Sequence, residues 1–113
     1  MAQPIAPIVT PTPSATLLIK DAACNLVDAY CTPSGSGFFM AFDVVSVAAL
    51  PADGTVSPAV SVACPANVST GLFASTDTSY MFMKGCVLVF STGANPFTKT
   101  TNVGTAFMSG RAI

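Results

Sequence analysis

Four cysteines, five aspartates, three lysines and one arginine are the groups in this 113-residue chain with the reactivity or charge for chemistry. The chain has no Glu, His or Trp. Acid–base catalysis near neutral pH draws first on His, and a cysteine nucleophile normally relies on one as well. A serine nucleophile would need Lys84 or Lys99 as its base, and no spacing in the chain brings such a pair together. Asp53 lies in a Pro-Ala-Asp-Gly turn, while Asp21, Asp28 and Asp77 fall near the ends of expected strands, where a carboxylate is solvated. Cys24, Cys31, Cys64 and Cys86 match no zinc spacing, and no His completes one. Gly35 and Gly37 form turn chemistry with no helix after it, so no phosphate cradle arises. Asn67-Val68-Ser69 fits a glycosylation sequon, a pattern common by chance. The expectation is a protein that is not an enzyme and carries no cofactor or metal.

The cysteines read in two ways. An even number suits two disulfides, with three pairings open, and it also suits free thiols acting as small buried hydrophobes. The N-terminus shows no basic start and no unbroken apolar run, so it does not read as a signal peptide and points to synthesis in the cytosol. That favours thiols.

Composition narrows the partners. Lys20, Lys84, Lys99 and Arg111 are scattered, which argues against nucleic acid, since phosphate binding uses clustered cations. No apolar run approaches the roughly 20 residues of a membrane-spanning helix. Apolar residues make up 51% of the chain and charged ones 8%, against about 25% charged in a typical soluble protein. So few charges protect a lone monomer poorly against association, and the chain reads as part of an assembly, with a homo-oligomer expected.

The elements that must position these groups are strands. Ser14–Lys20, Ala23–Cys31, Phe38–Leu50, Val56–Cys64, Val68–Ser75, Ser79–Gly85, Cys86–Thr92 and Val103–Gly110 are β-branched or aromatic runs. Turn chemistry separates them at Thr32–Gly37, Pro51–Thr55 and Gly93–Asn102. About eight short strands without an amphipathic helix predict an all-β antiparallel sandwich of jelly-roll type. Gly85 is expected to mark a bulge or bend between paired strands 79–85 and 86–92. Two runs, Phe38–Val45 and Ser79–Phe90, are apolar on both faces. Either they are central strands with a shielded outer face, or residues such as Phe39, Met81 and Met83 meet a neighbouring subunit. The low charge favours the subunit interface.

Residues 1–13 differ from the remainder, 14–113. Pro4, Pro7, Pro11 and Pro13 forbid a helix, and the gaps hold Ile5, Ile8 and Val9. Proline pre-sets an extended backbone and lowers the cost of ordering it on a partner. This stretch reads as an apolar docking arm.

At Pro51–Ala59 (PADGTVSPA) and Val87–Thr100 (VLVFSTGANPFTKT) the chain resembles small β-sandwich structural proteins of tailed phages and prophages. The resemblance spans about residues 14–110. It implies a capsid decoration, or cement, protein: a virion component assembled in the bacterial cytoplasm, trimeric, with a terminal arm lying on the major capsid protein. No catalytic residues come with it. A receptor- or glycan-binding module of a tail or head fibre is the alternative, with Tyr30, Asn95 and Phe97 as candidates, and a secreted disulfide-stabilised domain is a third.

Overall fold

The structure is a computed structural model that describes residues 7–10, 12–55, 57–73, 80–93, 95–100 and 105–113. Its strands are β1 Ile8–Val9, β2 Thr16–Lys20, β3 Cys24–Pro33, β4 Gly37–Phe42, β5 Val60–Cys64, β6 Thr70–Phe73, β7 Tyr80–Phe82, β8 Cys86–Ser91 and β9 Ala106–Ala112. The described residues contain no α-helix, only a short 3-10 turn at Val47–Ala49. Eight of the strands overlap the runs expected from β-branched and aromatic content, although β3 and β9 continue to Pro33 and Ala112 and β4 begins already at Gly37; β1 is the addition.

All pairings are antiparallel. One sheet has the order β1-β9-β3-β6, with β7 also paired to β3, and the other has the order β2-β8-β4-β5. Setting β7 aside, the first strand lies beside the last, β2 beside β8, and β4 beside β5, while β3 pairs with β6. That is one long hairpin rolled up so that its rungs alternate between two sheets: a jelly roll. We call the sheet containing β3 and β9 the front sheet and the other the back sheet.

Alternation along the strands fills the space between the sheets. Leu72 and Phe82 meet Phe39, Ala41, Leu88 and Phe90 there, with all four cysteines among the buried residues. In β3 the inward set changes parity from Cys24 and Leu26 to Ala29 and Cys31, because the register slips against β9 between Leu26 and Asp28. Such a bulge bends the strand and re-aims the side chains beyond it.

Four expectations change. The run 38–50 is not one strand: β4 stops at Phe42, and the segment after it folds back over the back sheet. Strands 79–85 and 86–92 are not a pair, since β7 belongs to the front sheet and β8 to the back. Gly85 makes that crossing possible. A Cβ there would lie 2.5 Å from the Val44 carbonyl oxygen and 2.7 Å from that of Lys20, so any side chain is excluded.

The boundary at residue 13 also moves, because Ile8 and Val9 pair with Gly110 and Ser109. The Thr10 N–H donates to the Met108 carbonyl (3.0 Å), its hydroxyl accepts from the Met108 N–H (3.1 Å), and Ser14 bridges Ala106. Pro7 and Pro13 suit this place, as β1 is an edge strand and needs its N–H groups on one side only. Finally, Phe39 is not at a subunit interface. It is 0% exposed in the inter-sheet core, because β4 turns its odd-numbered residues inward.

Candidate interaction surface

The outer faces of the two sheets are finished differently. On the back sheet Met40, Phe42, Val87 and Val89 point outward yet are buried, under Val44 and Leu50 of the segment following β4. This accounts for the apolar character of both faces of β4 and β8: they are the central strands, and the chain covers them itself.

Side chains lock that cover in place. The Asp43 carboxylate accepts the backbone N–H groups of Met83 (3.1 Å), Lys84 (2.7 Å) and Gly85 (3.3 Å). Desolvation pushes Asp43 upward, but the three N–H groups outweigh it and, with the Lys84 charge, hold the carboxyl below its ordinary value. Further along, Lys99 pairs with Asp53, and the Gly54 N–H donates to the Lys99 carbonyl (2.8 Å). The Ser91 hydroxyl accepts the Thr100 N–H (2.6 Å). The Pro-Ala-Asp-Gly turn and the Pro-Phe-Thr-Lys loop, distant in sequence, are thus one structural unit.

The front sheet has no such cover among the described residues. Its outward rows are set by register. Thr32 lies opposite Phe107; Tyr30 is flanked by Ser109 and Gly71; Asp28 lies opposite Arg111. Val9 stands on the far side of Ser109. Ser109 and Gly71 add little bulk, so a depression of about 360 Å³ opens between Val9, Tyr30 and Phe107, with Thr32 and Ser69 on its walls. Phe107 also bounds a second depression of about 270 Å³ together with Pro13, Pro33 and Asn67. It is 53% exposed and Val9 56%. These are large apolar groups standing in a row of hydroxyls.

Beside them the Arg111 guanidinium forks onto the Asp28 carboxylate, its Nε donating at 3.0 and 3.1 Å. Beyond this pair Met81, opposite Asn25, and Ile113 continue the apolar surface, with Met83 just past β7. Met83, at 71%, and Met81, level with Phe97 at 67%, are the most exposed large apolar side chains of the described residues.

Of the expected arm residues, Pro7, Ile8, Val9 and Pro13 are exposed along this edge, while Pro4, Ile5 and Pro11 lie outside the described residues. Asn95 closes its own turn by accepting the Phe97 N–H (2.8 Å), in the loop tied to the back-sheet cover, whereas Tyr30 is on the front sheet. They do not form one site. Asp77 lies outside the described residues. Sequence reasoning missed Phe107. The signal was there: it shares its strand parity with Thr105, Ser109 and Arg111, an aromatic on an otherwise polar face.

The described residues contain no cluster of three or more His, Cys, Asp or Glu able to hold a metal, and no helix long and apolar enough to cross a membrane. Comparison with known protein families, with curated proteins and with solved structures finds no match.

Proposed function

We propose that this protein is a non-enzymatic structural component of a virion that decorates the capsid, docking on the major capsid protein through the outer face of its front sheet. The observation that carries this reading is the asymmetry of the sandwich. Among the described residues the segment following β4 seals the apolar outer face of the back sheet, whereas Val9, Tyr30, Phe107 and Met81 stand exposed on the front. The edge strand β1 would deliver the Pro-rich segment before it to the same partner. The jelly roll is shared by viral capsid and lectin domains, a fold-level analogy that fits the sequence resemblance to phage structural proteins.

Magnitudes require several copies. Full burial of an apolar side chain contributes about 1.5–3 kcal/mol. Val9, Tyr30 and Phe107 are already half-buried, so covering the rest yields roughly 1 kcal/mol apiece. Association costs at least about 4 kcal/mol in lost rigid-body freedom. One copy is therefore weak, whereas a homotrimer engaging a lattice at several points gains from effective concentration.

The test is occupancy of Phe107→Asp on the particles with which the native chain copurifies, with Val45→Asp as an exposed apolar control away from the front sheet. Reduced occupancy for the first alone supports the reading; full occupancy for both, or recovery of the native chain with no particle, overturns it.

The alternative, a glycan-binding fibre module, draws on the Tyr30 and Phe107 rings beside the hydroxyls of Thr32 and Ser69, a pairing suited to sugar stacking. Competition by free glycans, with no loss of binding to glycan-free capsids for Phe107→Asp, would favour it.

A further inference from the structure

The front-to-back corners of the roll place the cysteines in pairs. The chain passes from β2 to β3, and again from β3 to β4, through connections of only three residues, 21–23 and 34–36, and each draws the two sheets together. Beside the first corner Cys24 opens β3, and Cys86 of the back sheet sits opposite Lys20, the residue that enters the turn. Beside the second, Cys31 lies near the end of β3, and Cys64 sits opposite Gly37, the residue that leaves the turn. One member of each pair belongs to the front sheet and one to the back, all four pointing into the same core. The Cys64 thiol donates to the Cys31 carbonyl at 3.8 Å. Of the three pairings that four cysteines allow, this one alone joins neighbours across each corner.

We propose that the four buried cysteines are two inter-sheet crosslinking sites, Cys24 with Cys86 and Cys31 with Cys64, closed to disulfides by exchange with a small disulfide such as oxidised glutathione. In each site one cysteine thiolate attacks a glutathione sulfur, forming a mixed disulfide and expelling glutathione thiolate. The second cysteine thiolate then attacks the protein-bound sulfur and expels the other glutathione. Two protons leave with the two glutathiones, so one protein dithiol and one oxidised glutathione become one protein disulfide and two reduced glutathiones. Closing both sites would pin β3 to the back sheet at each end.

The thiol form is a stable resting state in reducing surroundings. Burial, then the neighbouring Cys24 and Asp43, push the Cys86 thiol up to about 12. Burial and the adjacent Cys64 push Cys31 up as well, and burial raises Cys24. Protonated, buried thiols exchange slowly, so the sites close while the chain folds or opens, not in the closed native fold. The inference is independent of the capsid reading and needs no particle to test.

The unmodified chain is unfolded, reduced, and refolded in a buffer of oxidised and reduced glutathione, then compared with a reduced control by intact mass, non-reducing peptide mapping and thermal unfolding. Expected are a monomer-chain mass lower by four hydrogens, linked peptides containing Cys24 with Cys86 and Cys31 with Cys64, and a Tm raised by about 10 °C or more. Any other pairing, crosslinks between chains, four alkylatable thiols in the refolded β protein, or failure to refold under oxidising conditions would each overturn it.

Discussion

Replacing Asp43 should weaken the fold far more than an exposed loop carboxylate normally does. Its two oxygens take up three consecutive backbone N–H groups at the crossing from β7 to β8. A hydrogen bond to a charged group contributes about 1.5–3 kcal/mol net. The Met83 and Lys84 donors are exposed and return to water in Asp43→Ala, which discounts their share, while the buried Gly85 donor does so less readily. The resulting loss is roughly 2–4 kcal/mol, or a Tm lower by about 10–25 °C for a domain of this size. Asp43→Asn, which keeps one acceptor oxygen without the charge, should lose about half as much. The pH dependence has a definite sign. The folded carboxyl titrates below its unfolded value of about 3.9, so its contribution is complete above about pH 5 and disappears as pH falls through the folded value. Melting curves by circular dichroism from pH 2.5 to 7 provide the assay. The gap between native chain and Asp43→Asn should be widest near neutrality and close in acid. A gap that is constant with pH, or an Asp43→Ala Tm within a degree or two of the native value, would refute the reasoning.

Two further substitutions probe the roll. Gly37→Ala would drive a Cβ into the Ser91 carbonyl oxygen and place it 2.8 Å from the Phe90 ring, so β4 must leave its register and the variant should be destabilised by more than about 3 kcal/mol or remain insoluble; soluble protein with a native melting curve would contradict the packing. Thr10→Val keeps the shape but leaves the buried Met108 N–H without the hydroxyl it donates to, at about 1–3 kcal/mol, read as a lower urea midpoint with unchanged slope; an unaltered midpoint would mean that β1 is not clasped to β9 as described.

Strand positions were legible because β-branched and aromatic runs alternate with Gly, Pro and Asn, a local signal. The pairings were not, since β1 with β9 or β2 with β8 joins residues with most of the chain between them. The faces of β4 misled for a different reason. Phe38, Phe39, Met40 and Phe42 are all apolar, so alternation carries no parity, and only the cover formed by Val44 and Leu50 shows why both faces are dry. The segment 43–50 looked like strand by propensity, yet Asp43 captures the β7–β8 crossing and diverts it. Val45 and Val47 end up exposed despite their strand character. In the front surface, Tyr30 and the methionines were visible as candidates. Phe107 was overlooked although its parity with Ser109 and Arg111 marks it as outward; only the register, with Ser109 next to it on its own face of β9 and Gly71 across β3, shows that no bulky side chain there screens it.

The rung that joins β1 to β9 also sets an order of events for a growing chain. Residues 8 and 9 are made well before their partners, 109 and 110. Until β9 has been made, β1 lacks its partner and the β9 rung of the front sheet does not exist. Folding that depends on such distant partners is slow compared with folding from local contacts, and a ribosome-bound chain shortened by even the last strand cannot close the roll. Pro4, Pro7, Pro11 and Pro13 suit the wait: a segment interrupted by residues without N–H groups makes a poor template for another chain's strand. β1 stays uncommitted until β9 arrives.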